Sequence, residues 1–266
     1  MIIMAVFCLA LRPLSAQKTE GSDNYKFHKA VEILDEGGDP MEARKLAGEN
    51  LKENPKHIDS YLLIAGVDRK MKDYATALHS VEQAMKHNHK NSGFSDALLL
   101  WWKGIIYDEI GDSHKAVETM ELAVKLAKKN DKEHLVSMME DLAQFRYDLK
   151  EYDISDAVYR EMMKIEESSL LPRIGLARNM IAREQYDDAL AALEECKKFD
   201  RNYAEIYRFQ MQAYNGKKEY KKMIDAMFTL YDKSEDVDYL EVDVLKKDQK
   251  YAVALLKQKI AAESDN

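Results

Sequence analysis

The sequence predicts an all-α protein, built as a solenoid of about seven helix-turn-helix units. Three observations lead to this fold class. Ten glycines and four prolines in 266 residues are too few for a β-protein with many turns. Apolar residues recur at spacings of three and four from residue 24 onward, which is the period of an amphipathic helix. A frame of small and aromatic residues also repeats along the chain.

The frame centres on a small anchor residue in the second helix of each unit. In the second unit the anchor is Ala77, with Ala65 twelve residues before it, Tyr74 three before it and Ala84 seven after it. Small residues at facing positions let two antiparallel helices approach closely, and the aromatic residue fills the groove against the next unit. The structural positions predicted in this way are Ala65, Tyr74, Ala77, Ala84, Gly104, Ala116, Ala123, Ala143, Tyr152, Ser155, Ala177, Tyr186, Ala189, Tyr220, Tyr251 and Ala254.

The anchors themselves give the length of the repeat. From Ala43 through Met223 to Ala254, successive anchors are 34, 39, 39, 34, 34 and 31 residues apart. The two longer intervals predict five-residue loop insertions near residues 92–96 and 131–135, because polar connections lengthen at little cost. The predicted units lie near residues 24–57, 58–91, 97–130, 136–169, 170–203, 204–234 and 235–266.

With this frame the sequence resembles the tetratricopeptide repeat family, whose units repeat every 34 residues with small residues at these offsets. The resemblance covers residues 24–266 and implies a right-handed superhelix, in which each unit buries its apolar face against its neighbours. It also implies that the first helices line a concave groove where peptides bind. The residues expected to bind a partner there are Arg69, Trp101, Gln144, Tyr147, Arg178, Arg208, Gln212 and Asn215, and Leu62, Ile105, Glu140 and Ile174 complete the lining. The alternative is that these residues are only the more solvent-exposed face of a solenoid.

Two adjacent tryptophans, Trp101 and Trp102, are the only ones in the chain. Neighbouring residues of a helix point about 100° apart, so the two rings face different surroundings. The repeat geometry predicts that Trp101 leans toward the groove, where it would be a natural binding hot spot. The alternative is that both rings pack in the core or between units.

The first residues predict a leader sequence. Residues 2–11 form an apolar run, too short for the roughly twenty residues that span a bilayer. The run matches the central region of a signal peptide, with cleavage after Ala16 and a short tail over residues 17–23. The end of this segment resembles signal peptides of Bacteroidetes-type bacteria and predicts a periplasmic or cell-envelope protein without a transmembrane segment after leader removal. A short buried helix is the alternative.

No motif of an enzyme, a metal site or a cofactor site is present in the sequence. It contains no phosphate-binding glycine loop, no serine nucleophile elbow and no Cys-x-x-Cys pair. His87 and His89 are better explained as cations at a helix C-terminus than as metal ligands. Cys196 falls at a small-residue position and predicts a buried thiol. A formal charge of −8 argues against nucleic acid as a partner.

The sequence therefore predicts a non-enzymatic scaffold that binds a peptide or protein in its concave groove. Two alternatives remain at this stage. The chain is the N-terminal sensory or docking arm of a longer regulatory or enzymatic protein, or it is an envelope protein that binds a glycan or small ligand, as its many tyrosines and two tryptophans suggest.

Overall fold

A computed structural model describes residues 24–89, 92–234 and 242–264 of the chain. These ranges contain fourteen α-helices and no β-strand. The predicted leader and tail, residues 1–23, lie outside the described residues. The helices are α1 (Tyr25–Asp35), α2 (Pro40–Glu53), α3 (Ile58–Lys70), α4 (Tyr74–His87), α5 (Asp96–Ile110), α6 (Ser113–Asn130), α7 (Lys132–Asp148), α8 (Tyr152–Ile165), α9 (Leu171–Ala182), α10 (Tyr186–Cys196), α11 (Ala204–Gly216), α12 (Tyr220–Ser234), α13 (Val242–Lys247) and α14 (Gln249–Ser264).

The described chain is a series of helices, most of which pack against the next one in sequence, as α3 does against α4 and α11 against α12. It divides into two compact units, an N-terminal unit of residues 1–145 and a C-terminal unit of residues 146–266. Each unit has its own core, with Leu63 and Val67 in the first and Leu193, Ile206 and Met227 in the second. No helix in the described ranges is long and apolar enough to cross a membrane.

A small residue of the frame lies where the paired helices α5 and α6 touch. Gly104 shows how close this contact is, since a Cβ atom added there would lie 3.2 Å from the Cε atom of Met120. The aromatic positions Tyr74, Tyr152, Tyr186 and Tyr220 each begin the second helix of a pair and are half-buried. The frame residues with no exposed surface are Ala65, Ala77, Ala84, Ala116, Ala123, Ala143, Ser155, Ala177 and Ala189.

One turn recurs between paired helices. Its central residue has a φ angle between 60° and 87°, and the next N–H donates to the carbonyl five residues earlier, as from Asp73 to Asp68 at 2.8 Å. This is the left-handed cap that ends many helices and that glycine adopts most easily. The six described residues in this position are Gly37, Lys72, Gly111, Lys150, Glu184 and Lys218, so only two of them are glycine.

The last helix corrects the predicted frame. Ala254 was expected to be a buried anchor, but it is exposed, and Ala252 is 2% exposed in its place. The physical reason is that Asp248 caps α14, accepting the backbone N–H of Tyr251 at 3.1 Å. The helix therefore begins at Gln249, and its fourth residue, the anchor position of the other pairs, is Ala252. Tyr251 is the third residue of α14 rather than the first.

The second predicted loop insertion is also corrected. Residues 132–135 are helical, and Leu135 is only 7% exposed. Asp131 is the single residue between α6 and α7, and it accepts the backbone N–H of His134 at 3.3 Å. The extra residues therefore lengthen α6 and α7 to 18 and 17 residues instead of forming a loop.

Candidate partner-binding surface

The predicted groove residues differ widely in exposure. Arg69 and Trp101 are buried, as are Leu62 and Ile174. Gln144, Tyr147 and Arg178 are half-buried, like Ile105 and Glu140, whereas Arg208, Gln212 and Asn215 are exposed. Because these residues belong to both compact units, the two units are described separately.

In the N-terminal unit, the two tryptophans are core residues rather than an open surface. Each ring is 3% exposed, which corrects the expectation that Trp101 is presented to a partner. Trp101 Nε1 donates a hydrogen bond to Asp141 Oδ2 at 2.6 Å, so this ring ties α5 to α7. The ring centroid of Trp101 lies 6.0 Å from that of His134. These contacts hold Trp101 against two polar neighbours, Asp141 and His134.

Arg69 lies over the second tryptophan. Its guanidinium carbon is 5.4 Å from the ring centroid of Trp102, and its Nε atom is 3.6 Å from Glu109 Oε2. Only 4% of the Arg69 side chain is exposed. Arg69, Trp101, Trp102, Glu109 and Asp141 together are called the tryptophan cluster.

The carboxylates of the tryptophan cluster are under electrostatic strain. Desolvation raises the pKa of Asp141 from 3.8 to about 6, against the hydrogen bond from Trp101 and the charge of Arg69, which lower it. Desolvation also raises the pKa of Glu109, and Arg69 partly offsets this shift. The charge of Asp108 raises both pKa values. One guanidinium therefore does not fully compensate the carboxylates around it.

Three buried polar atoms of the tryptophan cluster make no hydrogen bond with any described residue. They are the donors Arg69 Nη1 and Trp102 Nε1 and the acceptor Glu109 Oε2. Buried polar groups in folded proteins nearly always have partners, so an unmet donor or acceptor calls for a physical explanation.

In the C-terminal unit, Arg178 is held between two aromatic side chains. Its guanidinium carbon lies 4.0 Å from the ring centroid of Tyr147, and Nη2 donates to the Tyr159 hydroxyl at 3.1 Å. The Tyr147 and Tyr152 ring centroids are 5.4 Å apart. This contact fixes a half-exposed guanidinium on an aromatic platform.

Helix α11 presents a polar edge. Ile206, Phe209 and Ala213 are buried, and Gln210 is held inside by a 2.7 Å hydrogen bond to Glu194. The exposed residues fall at helical spacing on the remaining side, and they are Arg208, Gln212 and Asn215. Arg208 is paired with Glu205, one turn earlier.

Sequence reasoning missed the most complete polar contact of the C-terminal unit. Asp156, 3% exposed, accepts hydrogen bonds at 2.8 Å from Asn179 Nδ2 and from Arg183 Nη2. Arg160 Nη2 lies 3.3 Å from the same carboxylate. The available signal was a carboxylate directly after the anchor Ser155, in a position that the frame buries.

His87 and Cys196 are both explained by packing. His87 ends α4 and stacks on Tyr61 with ring centroids 5.8 Å apart. Cys196 is 1% exposed, and burial raises the pKa of its thiol, so the thiolate is disfavoured. Within the described ranges, no three His, Cys, Asp or Glu side chains are placed to hold a metal ion.

The architecture agrees with solved structures. A tetratricopeptide repeat protein from Parabacteroides merdae matches with a TM-score of 0.68 at 17% identity, covering 91% of this chain and 90% of that one. This chain has the tetratricopeptide repeat fold. The C-terminal part of such a protein from Cytophaga hutchinsonii matches with a TM-score of 0.63 at 13% identity, covering 90% and 96%.

A third solved structure with a similar fold is one chain of an assembled complex. The APC/C hetero-tetramer Cut9–Hcn1 contains a chain that matches with a TM-score of 0.61 at 13% identity, covering 92% of this chain and 45% of that one. No family model and no curated protein matches the sequence itself. At these identities the tetratricopeptide repeat likeness is a likeness of fold.

Proposed function

We propose that this protein is a non-enzymatic scaffold that binds a peptide or protein segment along the exposed side of its first helices. The tetratricopeptide repeat fold supports a role in protein–protein interaction in general. The observation that carries the finer proposal is the polar edge of α11. Its residues face solvent on a helix whose other sides are packed.

The edge of α11 has the chemistry for binding an extended chain. Gln212 and Asn215 each offer an amide donor and an amide acceptor, which match the carbonyl and N–H groups of a peptide backbone. Arg208 adds a guanidinium that forms paired hydrogen bonds with carboxylates. None of the three is required for packing within the pair, since all are exposed.

Arg178 and Tyr147 supply a second contact of the same kind on α9 and the end of α7. Arginine and tyrosine are enriched among residues that dominate binding energies. The ring fixes the guanidinium, so less side-chain entropy is lost when a partner binds. We therefore expect Arg178 to contribute more than the solvent-exposed Arg208.

Site-specific photo-crosslinking tests this proposal. A photoreactive amino acid replaces Gln212 on the first helix α11 or, as the control, the exposed Asp188 on the second helix α10. We expect adducts with one defined protein or peptide from position 212 and none from position 188, and Arg208→Ala with Asn215→Ala should remove them. Equal adducts from both positions would contradict binding along the first helices.

We also propose that the protein is exported to the bacterial periplasm or cell envelope. The support is the apolar run over residues 2–11, followed by a small-residue cleavage site at Ala16. Intact-mass measurement of the protein recovered from cell fractions tests this. A chain that begins at Gln17 in the envelope fraction is expected, and a full-length chain in the cytoplasm would overturn the proposal.

A further inference from the structure

The tryptophan cluster combines features that do not serve packing alone. A well-packed core would use apolar side chains there, because burying charges incurs a desolvation penalty that their pairing often only balances. Here Glu109 is paired with Arg69, Asp141 accepts from Trp101, and three polar atoms lack hydrogen-bond partners in the described chain. The arrangement lowers the stability of the N-terminal unit, which is typical of sites kept for binding.

The unmet atoms match the groups of a peptide. Arg69 Nη1 and Trp102 Nε1 are donors and suit a backbone carbonyl, whereas Glu109 Oε2, which is ion-paired with Arg69 but accepts no hydrogen bond from a described residue, suits an N–H group. A bare anion would satisfy the donors but would be repelled by Glu109 and Asp141. A bare metal cation would leave the donors unmet.

The charge around these atoms indicates which type of partner side chain would bind. Glu109 is paired with Arg69, the charge of Arg69 also acts on Asp141, and the charge of Asp108 acts on both carboxylates. An added cation would relieve the repulsion that these carboxylates exert on one another. A lysine or arginine side chain supplies that cation together with an apolar stem, and half-buried Ile105, one turn before Glu109, can contact that stem.

The cluster is also reachable from solvent. The Glu109 side chain is 24% exposed, and its Oε2 atom lies 3.6 Å from Nε of the buried Arg69. Asp141 is likewise only partly covered. We expect a partner to contact the carboxylates first and to reach Arg69 when the Glu109 side chain moves.

We propose that the tryptophan cluster is a docking site for a basic peptide segment. Glu109 and Asp141 take a lysine or arginine side chain of the partner, and backbone carbonyls of the same segment accept from Arg69 and Trp102. This inference rests on the proposed function as a peptide-binding scaffold and adds the chemical class of the partner. It places the contact in the N-terminal unit, apart from the polar edge of α11.

Fluorescence titration of the full chain tests the proposal, because both tryptophans of the protein lie in the cluster. Three capped alanine-based peptides of equal length serve as probes, carrying lysine, glutamate or glutamine at the same positions. We expect the lysine peptide to change the emission and to bind at least about tenfold more tightly than the others at low salt. Raising the salt to 1 M should weaken this binding, because the salt ions screen the attraction between the lysine and the carboxylates.

Matched variants assign the effect to the cluster. Glu109→Gln and Asp141→Asn keep the shape and remove one charge each, and we expect each to weaken lysine-peptide binding several-fold. The control is Glu118→Gln, an exposed change on α6 that should leave the affinity unchanged. Urea unfolding confirms that the variants are folded, and Asp141→Asn should be more stable than the parent while binding less well.

The outcomes separate this inference from the proposed function. If the glutamate or glutamine peptide binds more tightly, the protein is still a peptide-binding scaffold, and the preference for a basic segment is wrong. If no peptide changes the emission but position 212 still crosslinks to a partner, only the docking site in the cluster fails. If lysine-peptide binding is the same in Glu109→Gln and Asp141→Asn as in the parent, the cluster is not the site.

Discussion

The two units of this protein use buried charge in opposite ways. In the C-terminal unit, Asp156 is surrounded by Asn179, Arg183 and Arg160, and its carboxylate is fully hydrogen-bonded. In the N-terminal unit, Asp141 has one donor, Trp101, and a raised pKa. The difference shows that the same repeat fold can bury a carboxylate either as a structural link or as a group poised for another partner.

Removal of Asp156 is expected to have the largest effect on stability. Asp156→Ala leaves Asn179 and Arg183 without their shared acceptor, and breaking a buried charge pair in this way costs about 3–5 kcal/mol. Circular dichroism during urea unfolding measures the loss, since neither tryptophan lies in this unit.

A second carboxylate that contacts the same arginine, Arg183, provides a matched control. Asp153 also contacts Arg183, at 3.1 Å, but its side chain is 99% exposed. Asp153→Ala should cost less than about 1 kcal/mol, as exposed ion pairs do. Equal losses for the two variants would mean that burial does not make Asp156 structural.

The next largest effect is expected at a glycine contact in the C-terminal unit. A Cβ atom at Gly216 would lie 2.3 Å from the Tyr186 ring, so Gly216→Ala should destabilise the protein by about 1–3 kcal/mol through overpacking. Gly48 in α2 of the N-terminal unit has nothing within 4 Å of that position. Gly48→Ala should therefore stabilise by roughly 0.5–1 kcal/mol. Thermal unfolding of both variants checks the opposite signs.

The third prediction uses pH to distinguish the role of Asp141 from that of Asp156. The Asp141 pKa is raised to about 6, so its charge lowers stability above pH 6, and the penalty disappears as pH falls below 4. Asp141→Asn should thus be more stable than the parent by about 1–2 kcal/mol at pH 8 and equal to it near pH 4. Urea unfolding followed by tryptophan fluorescence measures this, and a destabilised variant at pH 8 would show that Asp141 is structural, like Asp156.

The smallest effect is expected in the recurring turn. Lys150, in the C-terminal unit, has a φ of 61°, and Gly111, in the N-terminal unit, has a φ of 87° in the same place. Lys150→Gly should stabilise and Gly111→Ala destabilise, each by about 1 kcal/mol. Changes of the same sign in thermal unfolding would mean that the two turns are not equivalent.

Much of the fold follows from the sequence because it depends on local spacing. The frame around Ala77 predicts the helix pairs, because small residues that face each other allow close contact between two helices. The frame failed at Ala254, where the capping carboxylate of Asp248 overrode the position of Tyr251. A hydrogen bond to one side chain moved the helix start by two residues.

The candidate surface was less predictable than the fold. Exposure of a residue such as Trp101 depends on its neighbours from other repeats, and the decisive one, Asp141, is forty residues away. Spacing did not predict that Arg69 is buried and paired with Glu109.

The recurring turn has a consequence for how such a gene can change length. Lys72 and Gly111 occupy the same backbone geometry with the same flanking hydrogen bonds. An in-frame deletion that joins residue 72 to residue 112 would remove one helix from each of two pairs and leave a new pair, α3 with α6, closed by an intact turn. Recombination between turns therefore adds or removes whole modules without requiring a new connection.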